Sequence, residues 1–350
     1  MKRRIAINTG GGDAPGLNAV IRAATLSALE LGFDVWGIRR GYEGLFDGDF
    51  VELTRERVRG ITHLGGTILG AASRFDPLRA ASDGGSRAAG IVAAFRERGF
   101  EGLIAIGGDG SMRLARALVE AGLPPVMGVP KTIDNDVAGT DTTFGFDTAV
   151  AIATEALDRI HTTAEAHDRV MVVEVMGRTA GWIATAAGLA GSADAILIPE
   201  IPFDLRAVVE KIARRDEVGR RFSIIVVAEG AASAEAVARE LAERTGKDTR
   251  SLVLGHLLRG GHPTARDRML ALELGTHAAL ELGRRLDGAR AGQPATSGMV
   301  GVQDGHFSVV DLTVPATQIR RVPATGSLVS AARHLGIAFG DEPRGAFASR

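Results

Sequence analysis

The chain has no cysteine. Disulfides, thiolate nucleophiles and cysteine-based zinc or iron–sulfur centres are therefore excluded, a composition compatible with a reducing cytoplasm. It also lacks a charge excess: 41 Lys and Arg against 42 Asp and Glu give a net charge of -1, without the basic surplus a nucleic-acid partner requires. Long apolar runs are missing as well. With no stretch of about 18 apolar residues, no membrane span is expected. Behind the basic start Met1-Lys2-Arg3-Arg4 the apolar run is only Ile5-Ala6-Ile7, short of the ~7–15 residues of a signal-peptide core, so none is expected.

Glycine is abundant, at 46 of 350 residues, or about 13% against a usual ~7%. The 45% hydrophobic and 24% charged fractions are ordinary for a globular chain, and the length suits two lobes of about 150 residues each. The glycines punctuate short apolar runs: Ile5–Ile7, Val35–Ile38, Leu103–Ile106, Val126–Val129, Val170–Val175, Ala195–Ile198, Ile224–Ala228 and Leu252–Leu254. These runs are continuous and do not alternate, which predicts strands covered on both faces. Between them the period turns helical, with Leu17, Val20, Ile21, Ala24 and Ala28 on one face and Leu205, Val208, Val209 and Ile212 on another. Strand–helix alternation predicts an α/β chain of mainly parallel sheets with right-handed crossovers. No repeat and no Pro/Ser linker separates two halves, so two lobes would exchange the chain more than once.

In open α/β sheets, ligands sit beyond the carboxyl ends of strands, and three segments lie there. Thr9-Gly10-Gly11-Gly12-Asp13-Ala14-Pro15-Gly16 offers a glycine turn leading into a helix N-terminus, an anion site or a tight structural turn. It fits neither GxxxxGK[ST] nor GxGxxG, which removes the main support for dinucleotide redox chemistry. Gly107-Gly108-Asp109-Gly110-Ser111 places a hard carboxylate ligand in a glycine turn, suited to Mg²⁺ with substrate phosphates or to capping a helix. Pro130-Lys131-Thr132-Ile133-Asp134-Asn135-Asp136 collects two carboxylates and a lysine at a strand end. It is either a catalytic loop or a polar turn with local side-chain hydrogen bonds. Arg169, Arg178, Arg250, His256 and Arg259 also fall near strand ends or in the loops beyond them, where arginine suits phosphate.

The ordered set GGGDAPGLNAVIR (10–22), GGDGS (107–111), PKTIDND (130–136), VEVMGR (173–178), LGHLLRGG (254–261) and FGD (339–341) resembles the 6-phosphofructokinase family over residues 3–341. The resemblance implies two Rossmann-like lobes: a donor lobe of residues 1–145 and 259–314, and a sugar lobe of residues 146–258 and 315–350. It implies transfer of a phosphoryl group from Mg²⁺-bound ATP to the 1-hydroxyl of fructose 6-phosphate. Asp134 would be the base, Asp136 would stand behind it, and Thr132 and Arg178 would stabilise the transferring group. Asp109 would meet the metal. Gly12, Tyr42, Phe75, Gly108, Gly110 and Ser111 would line the donor site, with Arg74 and Lys131 neutralising phosphate charge. Thr132, Asp134, Met176, Gly177, Arg178, Glu229, His256 and Arg259 would hold the sugar phosphate, joined by Arg169 and Arg250 of a neighbouring subunit in a dimer or tetramer.

Two departures from the most familiar bacterial pattern stand out, one bearing on the donor and one on regulation. Lys131 resembles pyrophosphate-dependent members, whereas Gly110 replaces the Asp those members carry. A carboxylate there would crowd and repel an α-phosphate, so glycine favours ATP over pyrophosphate. Leu26 and His161 stand where effector-binding arginines are expected, while Arg22 remains. A non-catalytic sensor on the same fold should have lost Asp109, Asp134 or Asp136, and all three are present.

Overall fold

The computed structural model describes residues 3–72, 75–79 and 86–343. The chain divides into two compact units, one of Met1–Ile133, Val137–Asp147 and Arg259–Ile319, the other of Asp134–Asp136, Thr148–Leu258 and Arg320–Arg350. The chain thus passes between units several times. The divisions fall near 133, 136, 147, 258 and 319, beside the 145, 258 and 314 implied by the resemblance.

In the first unit, the described residues form a seven-stranded sheet. Its strands are β1 (Arg3–Thr9), β2 (Phe33–Ile38), β3 (Phe50–Glu52), β4 (Phe100–Gly107), β5 (Val126–Pro130), β10 (Gly298–Gln303) and β11 (His306–Val310), in spatial order β11-β10-β5-β4-β1-β2-β3. The five central strands run parallel, and β3 and β11 add antiparallel edges. The hairpin joining β10 to β11 turns at Asp304 and Gly305, with φ of 50° and 78°, the left-handed pair a two-residue hairpin needs.

The central strands are buried on both faces because helices cover both sides. Ile5, Ile7, Ile104 and Ile106 pack with α1 (Leu17–Glu30) and α9 (Ala265–Arg290). Their neighbours Ala6, Leu103, Ala105 and Val126 face the other way, onto α2 (Gly41–Asp47), α3 (Arg87–Glu97) and α4 (Asp109–Glu120). Helices α1 and α9 approach closely at Gly275, where a Cβ would lie 2.7 Å from the Val20 carbonyl oxygen.

The second unit holds a four-stranded parallel sheet of β6 (Val170–Val175), β7 (Ala195–Leu197), β8 (Ser223–Ala228) and β9 (Thr249–Val253), in order β7-β8-β6-β9. It is flanked by α5 (Phe146–Ala166), α6 (Trp182–Ala190), α7 (Leu205–Glu217) and α8 (Ala234–Thr245). The face read from spacing is the buried one: Leu205, Val208 and Ile212 pack with Val170, Val172, Ile225 and Val227. Side chains cap the helix starts, Asp204 accepting from the Arg206 N–H at 2.9 Å and Ser233 from the Ala236 N–H at 3.2 Å, which satisfies N–H groups the helix leaves open. Short helices α10 (Thr313–Thr317) and α11 (Ser327–His334) complete the two units. Among the described residues no helix is long and apolar enough to cross a membrane.

Candidate functional site

In the first unit β5, β4 and β1 are parallel neighbours, so the three loops singled out by sequence leave the same edge of the sheet. Backbone bonds tie them: the Gly10 N–H donates to the Ile106 carbonyl at 2.8 Å and the Lys131 N–H to the Gly107 carbonyl at 3.0 Å. Ser111, in the first turn of α4, is wedged between two of these loops. A Cβ on Gly107 would lie 2.3 Å from Ser111 Cβ, and one on Gly10 would lie 2.6 Å from Ser111 Oγ. Only glycine leaves room for the helix to start there. Tyr42 closes the seat from α2, its hydroxyl donating to the Ser111 carbonyl at 2.9 Å. Burial holds the Tyr42 phenol well above its ordinary pKa, so it stays a neutral donor.

The buried Lys131 points back at the first loop and donates through Nζ to the Gly12 carbonyl. Arg259 meets the same loop, with Nη1 donating to the Asp13 carbonyl at 3.2 Å and standing 2.6 Å from where a Gly12 Cβ would be. Sequence grouped Arg259 with the sugar ligands; in the structure its guanidinium rests on the glycine loop. Gly108 precedes α4 in an extended conformation, and Asp109 opens the helix as an exposed carboxylate.

These elements border a cavity of about 630 Å³, lined by Gly11, Tyr42, Ala72, Phe75, Gly110 and Ser111, with Asp76, Leu78, Arg113 and Leu114 further along. That volume lies in the range of small-molecule sites. A Cβ on Gly110 would meet nothing within 4 Å, so this glycine opens onto the cavity. Phe75 is braced by Phe46, with ring centres 5.6 Å apart, and by the Arg87 guanidinium 5.1 Å from its centre. Arg74 lies outside the described residues. Sequence reasoning missed Gly11, Ala72, Asp76, Leu78, Arg113 and Leu114 as site residues. The last two could have been found, since they follow Gly110 by three and four positions on one helix and so share its face.

In the second unit the segment Asp134–Asp136 is pinned from two directions. Arg320 donates its N–H to the Asp136 carbonyl at 2.8 Å and Nη1 to the Asn135 carbonyl at 3.0 Å. Its guanidinium lies over the Trp182 ring at 4.0 Å, and the Trp182 indole N–H donates to the Arg320 carbonyl at 3.0 Å. Thr179 Oγ1 donates to Asp136 Oδ2 at 3.2 Å. Asn135 takes φ 53°, a left-handed conformation that asparagine tolerates.

The loops after β6 and β8 touch each other. The Glu229 N–H donates to the Val175 carbonyl at 2.9 Å and the Gly230 N–H to the Gly177 carbonyl at 3.2 Å. Gly177, at φ 137°, would carry a Cβ only 2.6 Å from the Ala180 carbonyl. This places Met176, Gly177, Arg178 and Glu229 together at the carboxyl end of the sheet, with Arg178 and Glu229 exposed. His256 follows β9 at the same end, exposed in a short 3-10 turn, Gly255–Arg259.

Arg169 and Arg250 are not in that group. Arg169 precedes β6, and Arg250 pairs in register with Met171 at the start of that strand. They therefore occupy the opposite edge of the sheet, a strand length away, about 20 Å at ~3.3 Å per residue. Asp248 joins them, accepting from Arg169 Nε at 2.7 Å and lying 3.0 Å from an Arg250 guanidinium nitrogen. The Arg169 hydrogen bond holds the Asp248 carboxyl below the usual carboxylate range.

The sequence profile of the Phosphofructokinase family matches residues 4–282. The ATP-dependent 6-phosphofructokinase of Chloroflexus aggregans is 48% identical over 363 residues, covering 97% of this chain and 99% of that protein. The pyrophosphate–fructose 6-phosphate 1-phosphotransferase of Amycolatopsis methanolica is 46% identical over 345 residues, covering 91% of this chain and 96% of that protein. Among solved structures, the T-state phosphofructokinase of Pichia pastoris superposes with a TM-score of 0.82 at 33% identity over 96% of this chain. The chain spans 37% of that longer polypeptide. The chain belongs to the phosphofructokinase family.

Proposed function

We propose that this protein is an ATP-dependent 6-phosphofructokinase, and that the first unit holds the donor and the second the sugar phosphate. The observation that carries the choice of donor is the open cavity in front of Gly110. Pyrophosphate needs no room beyond its two phosphates, whereas a nucleotide needs space past the α-phosphate, and Gly110 leaves that space clear beside a cavity of about 630 Å³. The relatives named as ATP-dependent point the same way. Lys131 beside Gly12 and the 46% identical pyrophosphate-dependent relative favour the pyrophosphate reading, but an ammonium there neutralises phosphate from either donor.

The residues suit a magnesium ion held chiefly by phosphate. Asp109 presents a carboxylate next to the cavity, and among the described residues no group of three or more His, Asp or Glu could hold a metal by themselves. Mg²⁺ commonly binds one or two carboxylates with the rest of its shell from substrate phosphates and water. Bound at Asp109, it would offset charge on the donor.

Phosphoryl transfer depends mostly on positioning and charge neutralisation. The 1-hydroxyl oxygen of the sugar forms a bond to the terminal phosphorus, the bond to the ADP oxygen breaks, and the hydroxyl proton passes to Asp134. Asp136, held by Thr179 and Arg320, fixes the segment that carries Asp134. Thr132 and Arg178 bear on the transferring group. Met176, Gly177, Glu229 and His256 serve the sugar phosphate. Arg169 and Arg250, at the far edge of their own sheet, serve the sugar phosphate of a neighbouring copy, which makes the working unit a homo-oligomer.

Three outcomes are expected. With fructose 6-phosphate and Mg²⁺, ATP supports turnover with kcat/KM at least about tenfold above pyrophosphate, a difference of ~1.4 kcal/mol; efficient turnover with pyrophosphate alone would reverse the donor assignment. Asp134→Asn lowers kcat by about 10²–10⁴ while KM for ATP changes little, the size expected for loss of a general base; near-wild-type turnover removes Asp134 from that role. Finally, Arg250→Ala raises KM for the sugar, and hybrids of Arg250→Ala with Asp134→Asn chains recover activity neither has alone. Such hybrids contain a site with both residues intact; no recovery would place Arg250 outside the shared site.

A further inference from the structure

A second feature of the first unit has no part in the donor cavity. Two exposed histidines, His63 and His262, meet although 199 residues separate them in sequence. Their ring centres lie 5.9 Å apart with planes inclined by 30°, too far for stacking contact. His262 Nδ1 is 2.7 Å from the His63 carbonyl oxygen. A carbonyl only accepts, so Nδ1 carries the proton and the lone pair of the His262 ring is on Nε2. A ring N–H given to a backbone carbonyl is the arrangement that fixes tautomer and orientation in metal-ligating histidines.

The loops that present the two rings are held tightly. A Cβ on Gly65 would lie 2.2 Å from the Gly261 carbonyl oxygen, so the backbones touch. Asn18 Nδ2 donates to the carbonyls of Leu64 at 3.2 Å and Gly65 at 3.1 Å, while Asn18 Oδ1 accepts from the Ile68 N–H at 2.8 Å. Behind His262, Arg268 donates to the Pro263 carbonyl at 2.8 Å. Two imidazoles on one zinc ion, each with a Zn–N distance of about 2.0–2.1 Å, keep their ring centres roughly 5–6 Å apart, which is the spacing the two loops impose.

We propose that His63 and His262 bind a divalent transition-metal ion of the zinc class, with water completing its shell. Imidazole nitrogen suits zinc and its neighbours, whereas Mg²⁺ and Ca²⁺ prefer oxygen, so this site is separate from the magnesium associated with Asp109. The ion ties the loop at 61–66 to the loop at 260–263 and stabilises the folded chain by mass action.

The test is zinc binding to the full chain by equilibrium dialysis with Mg²⁺ in excess, together with thermal unfolding. The wild-type chain binds zinc and its unfolding midpoint rises with zinc but not with added Mg²⁺. His262→Ser and His63→Gln each weaken binding by about tenfold or more and abolish the zinc-dependent rise, with metal-free kinase turnover unchanged. Circular dichroism checks that each variant folds. If one does not, the other decides, since the two lie on different loops. Zinc bound equally well by the folded variants, or no zinc bound by the wild type, overturns the site.

Discussion

Everything in the first unit follows from the seat of Ser111. Helix α4 can begin directly behind β4 because Gly107 and Gly10 have no side chains, and the space their Cβ atoms would fill is occupied by Ser111. With Ser111 seated and its carbonyl bonded to Tyr42, Gly108 extends, Asp109 opens the helix and Gly110 faces the cavity. A larger residue at 107 would have to move the helix start, since the clash is with the serine Cβ and not with a flexible tip. The glycines are thus packing requirements first, and the anion-binding character of a helix N-terminus comes with that packing.

Strand direction plays the corresponding part in the second unit. All four strands are parallel, so one edge collects every residue that follows a strand and the opposite edge every residue that precedes one. Met176, Gly177, Arg178, Glu229 and His256 fall on the first edge, Arg169 and Arg250 on the second. The ion pairs to Asp248 hold the two arginines side by side, with Arg250 largely exposed. The proposed sharing of a site between copies rests on this separation of the two arginines from the other edge.

Much of this was legible in the sequence, and the reasons are local. Seven of the eight apolar runs read as covered strands are covered, because helices on both faces demand continuous apolar side chains; the eighth, Leu252–Leu254, belongs to the edge strand β9, where Leu252 and Val253 are exposed. The strands not foreseen, β3, β10 and β11, are short, edge-placed or interrupted by glycine, so burial leaves a weak mark on them; only the Asp304-Gly305 pair signalled the hairpin. The three glycine and acid loops could be placed at strand ends, and topology alone then brings three of those ends together. Arg259 shows the limit. Its neighbours Gly260 and Gly261 announce a turn but not its direction, and the guanidinium lies on Gly12 and Asp13, which no sequence spacing specifies. The His63–His262 contact joins distant loops and left no sequence mark either.

The donor assignment rests on Gly110 facing open space. The most direct test is the steady-state kinetics of Gly110→Asp with each donor. A carboxylate at that position should raise KM for ATP about tenfold or more through crowding and like-charge repulsion at the α-phosphate, leave KM for fructose 6-phosphate near its wild-type value, and bring use of pyrophosphate closer to that of ATP. Unchanged ATP kinetics in a folded Gly110→Asp chain would contradict the account.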